Sequence, residues 1–155
     1  MIRGACAAFA GAFALLFAVA GTRAADRGTP PEAKAMLQKA VAHYQAVGRK
    51  QALADFTAGK APFRDRDLYV VCVTVDHTIA ANGAFPEYVG TSADALRDAQ
   101  RNPLGQALWD AASSNAEGSI RYAMVNPMTS RIETKTTFYS KMADDLLCGV
   151  GAYNA

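Results

Sequence analysis

Apolar residues recur along the chain with two different periods, and each period predicts one kind of element. Between residues 33 and 47 they recur every three to four positions, as they do along one face of a helix. Thr29 and Glu32, which come just before this run, match the two ends of a capping box. The pattern therefore predicts a helix that begins after Thr29 and ends or kinks at Gly48, with a shorter helix behind it.

Alternating and β-branched stretches predict strands over much of the remaining chain. The predicted strands cover residues 67–76, 78–83, 119–126, 131–142 and 146–153. Short helices are predicted around residues 93–99 and 104–113, and a tight turn at Asp76-His77. The order of a helical region, two strands, small helices and three more strands implies an α+β domain with a five-stranded antiparallel sheet.

The start of the chain carries a different kind of apolar pattern. Eighteen of the first 24 residues are hydrophobic, with Arg3 near the start and an uncharged core of 17 residues from Gly4 to Ala20. This is the layout of a secretory signal peptide. We expect residues 1–24 to be removed, which leaves residues 25–155 as one domain, periplasmic or secreted. The alternative is an uncleaved anchor, for which a core of this length is at the lower limit.

Charge and cysteine content change once that leader is set aside. The whole chain has a net charge of +2, and removal of Arg3 and Arg23 leaves 14 basic and 14 acidic residues. A neutral domain lacks the basic surface that nucleic acids require, so no nucleic-acid partner is expected. The two histidines and the remaining cysteines have no zinc-like spacing, and no metal or other cofactor is predicted.

Two cysteines, Cys72 and Cys148, remain after the leader. An even number of cysteines in an oxidising compartment suggests one disulfide. Two buried free thiols on different rows of the sheet are the alternative.

Several stretches share their order and spacing with a known family. They are the helix from Glu32 to Phe56, Ala61-Pro62-Phe63 with Asp67-Leu68-Tyr69-Val70, Phe85-Pro86-Glu87-Tyr88-Val89-Gly90, Tyr122 through Asn126-Pro127 to Lys135-Thr136-Thr137-Phe138, and the glycine-rich end from Leu146 to Tyr153. Together they resemble the single Cache domains, which are extracytoplasmic relatives of the PAS fold. The resemblance covers nearly all of the chain after the leader. It implies a long helix on one face of the sheet and a small pocket on the other, beneath loops and short helices.

The resemblance also implies a function. Members of this family commonly sense small metabolites, often short carboxylates, as the outer parts of chemoreceptors or sensor kinases. We therefore expect an exported domain that binds a short organic acid, with a membrane receptor or a second copy as partner. The sequence ends two residues after Tyr153, so no signalling module of its own is expected. No nucleophile–base string, phosphate loop or carboxylate pair points to an enzyme. A structural or dimerisation module without a ligand is the alternative.

Candidate binding residues come from the resemblance combined with strand parity. One face of the strand 131–142 carries Lys135, and a lysine here, by the resemblance, faces the pocket and holds a carboxylate. From parity alone, a solvated lysine on the outer face is the alternative. The resemblance also makes the first and last strands antiparallel neighbours, so that Cys72 and Cys148 can bond across them. The candidate ligand-binding residues are Lys135, Tyr122, Thr137, Tyr139, Met124 and Tyr88.

Overall fold

The computed structural model describes residues 27–126 and 128–154. The signal peptide predicted for residues 1–24 lies outside the described residues. No helix within the described ranges is both long enough and apolar enough to cross a bilayer. The helices are α1 (Pro30–Val47), α2 (Arg49–Thr57) and α3 (Leu104–Ser114), with short 3₁₀ helices at Pro86–Tyr88 and Ala93–Ala95. The strands are β1 (Arg64–Asp65), β2 (Leu68–Thr74), β3 (Ile79–Asn82), β4 (Glu117–Asn126), β5 (Arg131–Ala143) and β6 (Leu146–Tyr153).

All the strand pairs are antiparallel, and the last strand of the chain lies in the middle of the sheet. The strand order is β1-β2-β6-β5-β4, and β3 pairs with β2. Every residue of β6 is buried, because its two neighbours cover its edges while helices and loops cover its faces. The predicted α+β fold with its antiparallel sheet is confirmed. The two-residue strand β1 adds to the five predicted strands and is too short to show a period.

Helix α1 packs across one face of the sheet, and its start is fixed by the predicted capping box. The Thr29 side chain accepts a hydrogen bond from the Glu32 backbone amide, and the Thr29 amide donates to Glu32 Oε2 at 2.7 Å. The buried stripe of α1 lies in one core cluster with the side chains of β6 that point toward it. The members of this cluster from α1 and β6 are Ala33, Met36, Leu37, Ala40, Leu146, Cys148, Val150 and Ala152.

A disulfide joins the two central strands. Cys72 of β2 and Cys148 of β6 lie directly opposite each other, both are buried, and their Cα atoms are 4.0 Å apart. The cross-strand disulfide expected from the sequence is therefore confirmed. It closes a loop between residues 76 positions apart, so it ties the first long strand to the last.

The opposite face of the sheet is covered by residues 85–114, which we call the cover. Asp94 fastens it, because one of its carboxylate oxygens lies 2.6 Å from His77 Nδ1 in the β2–β3 turn. The other oxygen accepts the amide of Gln106 in α3 at 2.8 Å. A Cβ atom at Gly105 would lie only 2.7 Å from that second oxygen, so glycine is what permits the approach.

The prediction of a short helix over residues 93–99 is wrong beyond Ala95. Only the 3₁₀ turn Ala93–Ala95 forms, capped by Ser92. After it, the Leu96 carbonyl accepts the amide of Leu104, and Asp98 accepts the amide of Asn102. These bonds close a turn that folds the chain back onto the start of α3, in place of a continued helix.

We predict that breaking the disulfide destabilises the domain strongly. Closing a loop of this length contributes roughly 4 to 5 kcal/mol by the chain-entropy account. The midpoint of thermal unfolding should therefore fall by roughly 10 to 20 °C in the double variant Cys72→Ala/Cys148→Ala. Reductant should lower the midpoint of the native protein and leave that of the double variant unchanged. A native midpoint that survives complete reduction, verified by thiol titration, would contradict the prediction.

We also predict a pH-dependent contribution from Asp94. Burial opposes ionisation of this carboxyl, but the hydrogen bonds from His77 and the Gln106 amide outweigh it and hold its pKa below the usual value of 3.8. Because the pKa of this carboxyl is lower in the folded state than in the unfolded state, its ionised form stabilises the fold at pH values above the unfolded-state pKa. This stability is lost as the pH falls through the folded-state pKa. Asp94→Asn should therefore lower the free energy of unfolding at pH 7 by about 1 kcal/mol, which lowers the unfolding midpoint by several degrees.

The difference between the native protein and Asp94→Asn should shrink as the pH is lowered from about 5 toward 2. Thermal melts across that range test it, with the exposed Asp144→Asn as the matched carboxylate control. An Asp94→Asn effect of the same size at both ends of the range would show that the charge of Asp94 is not responsible.

Candidate functional site

A cavity of about 100 Å³ lies between the sheet and the cover. Strands β2, β4, β5 and β6 form its floor, and the cover closes it from above. The floor carries most of the polar groups, and the lining residues of the cover are apolar apart from Tyr88. The lining residues are Tyr69, Val71, Val73, Ile79, Asn82, Phe85, Tyr88, Ala93, Leu96, Leu104, Leu108, Tyr122, Met124, Lys135, Thr137, Gly149 and Gly151.

Lys135 gives the cavity a positive charge. Its side chain belongs to the face of β5 that points into the cavity, and only 6% of the residue is exposed. The ammonium lies over two aromatic rings, with Nζ 5.1 Å from the centroid of Tyr69 and 4.8 Å from that of Tyr153. No hydrogen bond or ion pair joins the ammonium group to any of the residues that the structure describes. The rings offset part of the lost hydration, and the ammonium keeps its capacity to pair with an anion.

Hydroxyl groups lie on both sides of this lysine. Burial, reinforced by the charge of Asp67, raises the pKa of Tyr69 to about 12, so its hydroxyl keeps its proton at neutral pH. The hydroxyls of Tyr122 and Thr137 share a hydrogen bond of 2.9 Å. A hydroxyl is both donor and acceptor, so this pair still has capacity for a further bond. The site can thus surround an anion with one cation and several donors.

The rest of the lining carries no further charge. Asn82 is buried, and its side-chain oxygen accepts the backbone amides of Ala84 and Phe85, which fixes the loop after β3. The described lining residues include Lys135 but no Arg, His, Asp or Glu. No group of three or more His, Cys, Asp or Glu in the described part of the chain is arranged to hold a metal ion. The lining therefore suits a ligand with one negative charge and an apolar body.

The structure places five of the six candidate binding residues around this cavity. Lys135, Tyr122, Thr137 and Met124 lie on its floor, and Tyr88, 38% exposed, borders it from the cover. Lys135 is buried here and is not a solvated lysine on the outer face. Their roles in binding remain a prediction.

Tyr139, the sixth candidate, shares the strand face but does not line the cavity. Its hydroxyl donates to the carbonyl of Ala111 in α3 at 3.0 Å. Its ring packs in the cluster that holds α3 on the sheet, with Leu108, Ala112 and Leu147. Tyr139 therefore holds α3, which is part of the cover, against the sheet.

Several lining residues were not among the candidates. Tyr69 alternates with Val71 and Val73 along β2, so all three point to the same face. Gly149 and Gly151 alternate in the same way in β6, between Leu147 and Tyr153. Strand parity in β2 and β6 therefore contained a signal for them. Leu104 and Leu108 of the cover stand four residues apart on one face of the predicted helix α3. The apolar residues in the loops of the cover gave no signal, because loop packing leaves no period in the sequence.

Known structures share this architecture. A methyl-accepting chemotaxis protein from Vibrio parahaemolyticus RIMD 2210633 is similar with a TM-score of 0.63 and 17% identity, over 79% of this chain and 86% of that one. A Cache chemosensory domain, from a study of carboxylic acid recognition, has a TM-score of 0.58 and 15% identity, over 81% and 88%. A periplasmic sensor domain of a chemotaxis protein has a TM-score of 0.56 and 15% identity, over 81% and 90%. At these identities the similarity shows the fold alone.

The sequence itself identifies the family. Comparison with curated proteins gives no significant match. The family described as Single Cache domain 2 matches residues 29–154, which is nearly the whole of the described chain. This match agrees with the long helix, the antiparallel sheet and the covered cavity, and the chain belongs to the single Cache domain family.

Proposed function

We propose that this protein is an exported sensor-type domain that binds a short organic acid in the cavity around Lys135. One observation carries the proposal. The ammonium of Lys135 is buried against the cavity without a carboxylate partner among the described residues. A buried charge is costly unless it is paired, so an anionic ligand would supply the negatively charged partner of the ammonium. The tyrosine and threonine hydroxyls beside it would add hydrogen bonds to the same anion.

The size of the cavity supports a small ligand. Cavities of about 150 Å³ accommodate benzene, which has six non-hydrogen atoms, so about 100 Å³ suits roughly four or five. A carboxylate with a few carbons has that size. The lining assigns no reaction to the site, and the proposed activity is binding without turnover.

The comparisons support the same class of ligand. Cache domains are sensor domains for small ligands, and this chain belongs to them. One structural neighbour is described by its recognition of carboxylic acids, and another as a periplasmic sensor domain. We extend both descriptions to this chain as part of the proposal, so that the domain acts outside the cytoplasm. A membrane receptor or a second copy of the chain would then respond to its bound state.

The competing function is a structural or dimerisation module. Such a module needs no ligand, and its own side chains would fill the pocket. The cavity that reaches both Lys135 and Tyr122 favours the binding function. A ligand screen decides between the two.

We predict that short monocarboxylates raise the thermal stability of the protein. At a concentration of one hundred times the dissociation constant, a ligand adds about 2.7 kcal/mol, which shifts the unfolding midpoint by several degrees. At the same ligand concentration, Lys135→Met should reduce the shift to between about one half and one tenth of its native size, because a hydrogen-bonded ion contact is typically worth about 1.5 to 3 kcal/mol, roughly 10- to 150-fold in affinity. The unliganded variant should be as stable as the native protein or more so, since it buries no charge.

Lys141→Met is the matched control for this test. Lys141 lies on the same strand, and its ammonium is also over an aromatic ring, that of Trp109, at 5.7 Å. It does not line the cavity, so its variant should keep the ligand-induced shift. A carboxylate shift of native size in Lys135→Met would rule out the proposed contact. No shift from any acid, amine or amino acid would favour the structural module.

A further inference from the structure

Large apolar side chains are exposed at the closed end of the β4–β5 hairpin. Val125 of β4 is 55% exposed, and Ile132 of β5 is 65% exposed. The two are direct cross-strand partners, so their side chains lie together on one face of the sheet. Met128, in the turn between the two strands, is 69% exposed. We call these three residues the hairpin patch. Single exposed apolar residues are ordinary, whereas a group of them marks a candidate interaction surface.

Glu133 fixes the hairpin end in place. Its carboxylate accepts hydrogen bonds from the side chains of Asn126 at 2.8 Å and Thr129 at 2.7 Å. Arg27, the first residue that the structure describes, donates to the same carboxylate at 3.1 Å. The turn that carries Met128 is therefore fastened to the point where the chain enters the domain.

The apolar leader precedes the domain at this same end. Six residues separate Ala20, the last residue of the uncharged apolar run, from Arg27. An extended chain of that length spans at most about 25 Å. The leader predicted for residues 1–24 inserts into a membrane during export. The end of the domain that carries Arg27 and the hairpin patch then faces a bilayer at short range.

Two exposed arginines lie near the patch. Arg121 is on the same face of β4 as Val125 and four residues away, about 13 Å along the strand. Arg131 is the first residue of β5. Neither forms an ion pair with a residue that the structure describes. Apolar side chains with cations beside them match a bilayer surface, where acyl chains lie beneath the phosphates.

We propose that the hairpin patch is a membrane-docking surface, and that its partner is the lipid bilayer into which the leader inserts. The three apolar side chains enter the boundary between headgroups and acyl chains, and the two arginines contact the phosphates. A second copy of the chain fits less well, because a standard protein interface takes about 800 Å² of each partner. Three side chains do not supply that area, whereas shallow insertion into lipid needs no matching surface.

This surface is separate from the proposed binding site. None of the three patch residues lines the cavity. The inference therefore adds an interaction to the domain and does not depend on which ligand the cavity takes. It also orients the domain, since the turn between β5 and β6, at the other end of the sheet, would point away from the membrane.

Tryptophan fluorescence tests the contact in the full chain. Met128→Trp adds an indole at the patch, and the native chain has one tryptophan, Trp109, as background. Val75→Trp is the matched control, because Val75 is 58% exposed and follows β2 at the opposite end of the sheet. Each exported chain is combined with vesicles of phosphatidylethanolamine and phosphatidylglycerol, with and without brominated acyl chains. A chain that retains its leader is reconstituted into the same vesicles.

Brominated lipid should quench the added indole of Met128→Trp, with a loss of emission well above that of the native protein. Val75→Trp should show no such excess. Equal quenching of the two variants, or none in either, would overturn the proposal in both the cleaved and the retained form of the chain.

Val125→Ser/Met128→Ser/Ile132→Ser tests the apolar contribution. Its residues are exposed, so the variant should keep its stability. For the chain released by cleavage, vesicle affinity should fall by about tenfold or more, because burying one such side chain typically changes a partition by about tenfold. Val47→Ser/Val75→Ser, which removes two other exposed apolar side chains, should bind vesicles as the native protein does.

The remaining outcomes separate this surface from other partners and from the cavity. A native dimer that the triple variant converts to a monomer, with unchanged vesicle binding, would assign the patch to a second copy and overturn the proposal. The triple variant should keep the carboxylate-induced shift of the unfolding midpoint. Failure of vesicle docking therefore leaves the proposed function intact, and absence of ligand binding leaves the docking surface intact.

Discussion

The ammonium of Lys135 lies inside the domain, and no carboxylate oxygen of the part of the chain that the structure describes lies within 4.0 Å of it. Taking an ion out of water costs several kcal/mol even after the protein relaxes. Two tyrosine rings recover part of that cost by cation–π attraction, and Gly151 leaves the room that the lysine needs to reach them. In the proposed function, an anionic ligand would supply the charge that the ammonium lacks. The two rings and Gly151 together accommodate this one charge in the cavity floor.

The two faces of the sheet are held in different ways. On one face, α1 packs a continuous apolar stripe against β6, and the Cys72–Cys148 disulfide locks β6 to β2. On the other face, the cover is fastened in part by polar contacts such as the pair of His77 and Asp94. We expect the cover to open more readily than the sheet, because partly exposed hydrogen bonds such as this one favour local opening.

The local part of this structure could be predicted with good accuracy. The capping box of Thr29 and Glu32 gave the start of α1, and the strand β6 has the predicted bounds. The helix expected over residues 93–99 shows where such prediction fails. Its residues suit a helix, but the hydrogen bond between Leu104 and Leu96 and the turn at Asp98 pull the chain back onto α3. Contacts with distant residues outweighed the local preference, which is weak in any short segment.

By itself the sequence determined the elements, the alternation of side chains and the even pair of cysteines, because these depend on neighbours along the chain. It placed Lys135 and Thr137 on one row of β5, but parity left open whether that row faces water or a pocket. The tertiary structure decided this, since the register of β5 against β6 puts Lys135 beside Tyr153, and the cover closes over that face. The tertiary structure also shows why a glycine stands at position 151. A Cβ atom there would lie 2.5 Å from Cε of Lys135, a contact between neighbouring strands that the sequence alone does not reveal.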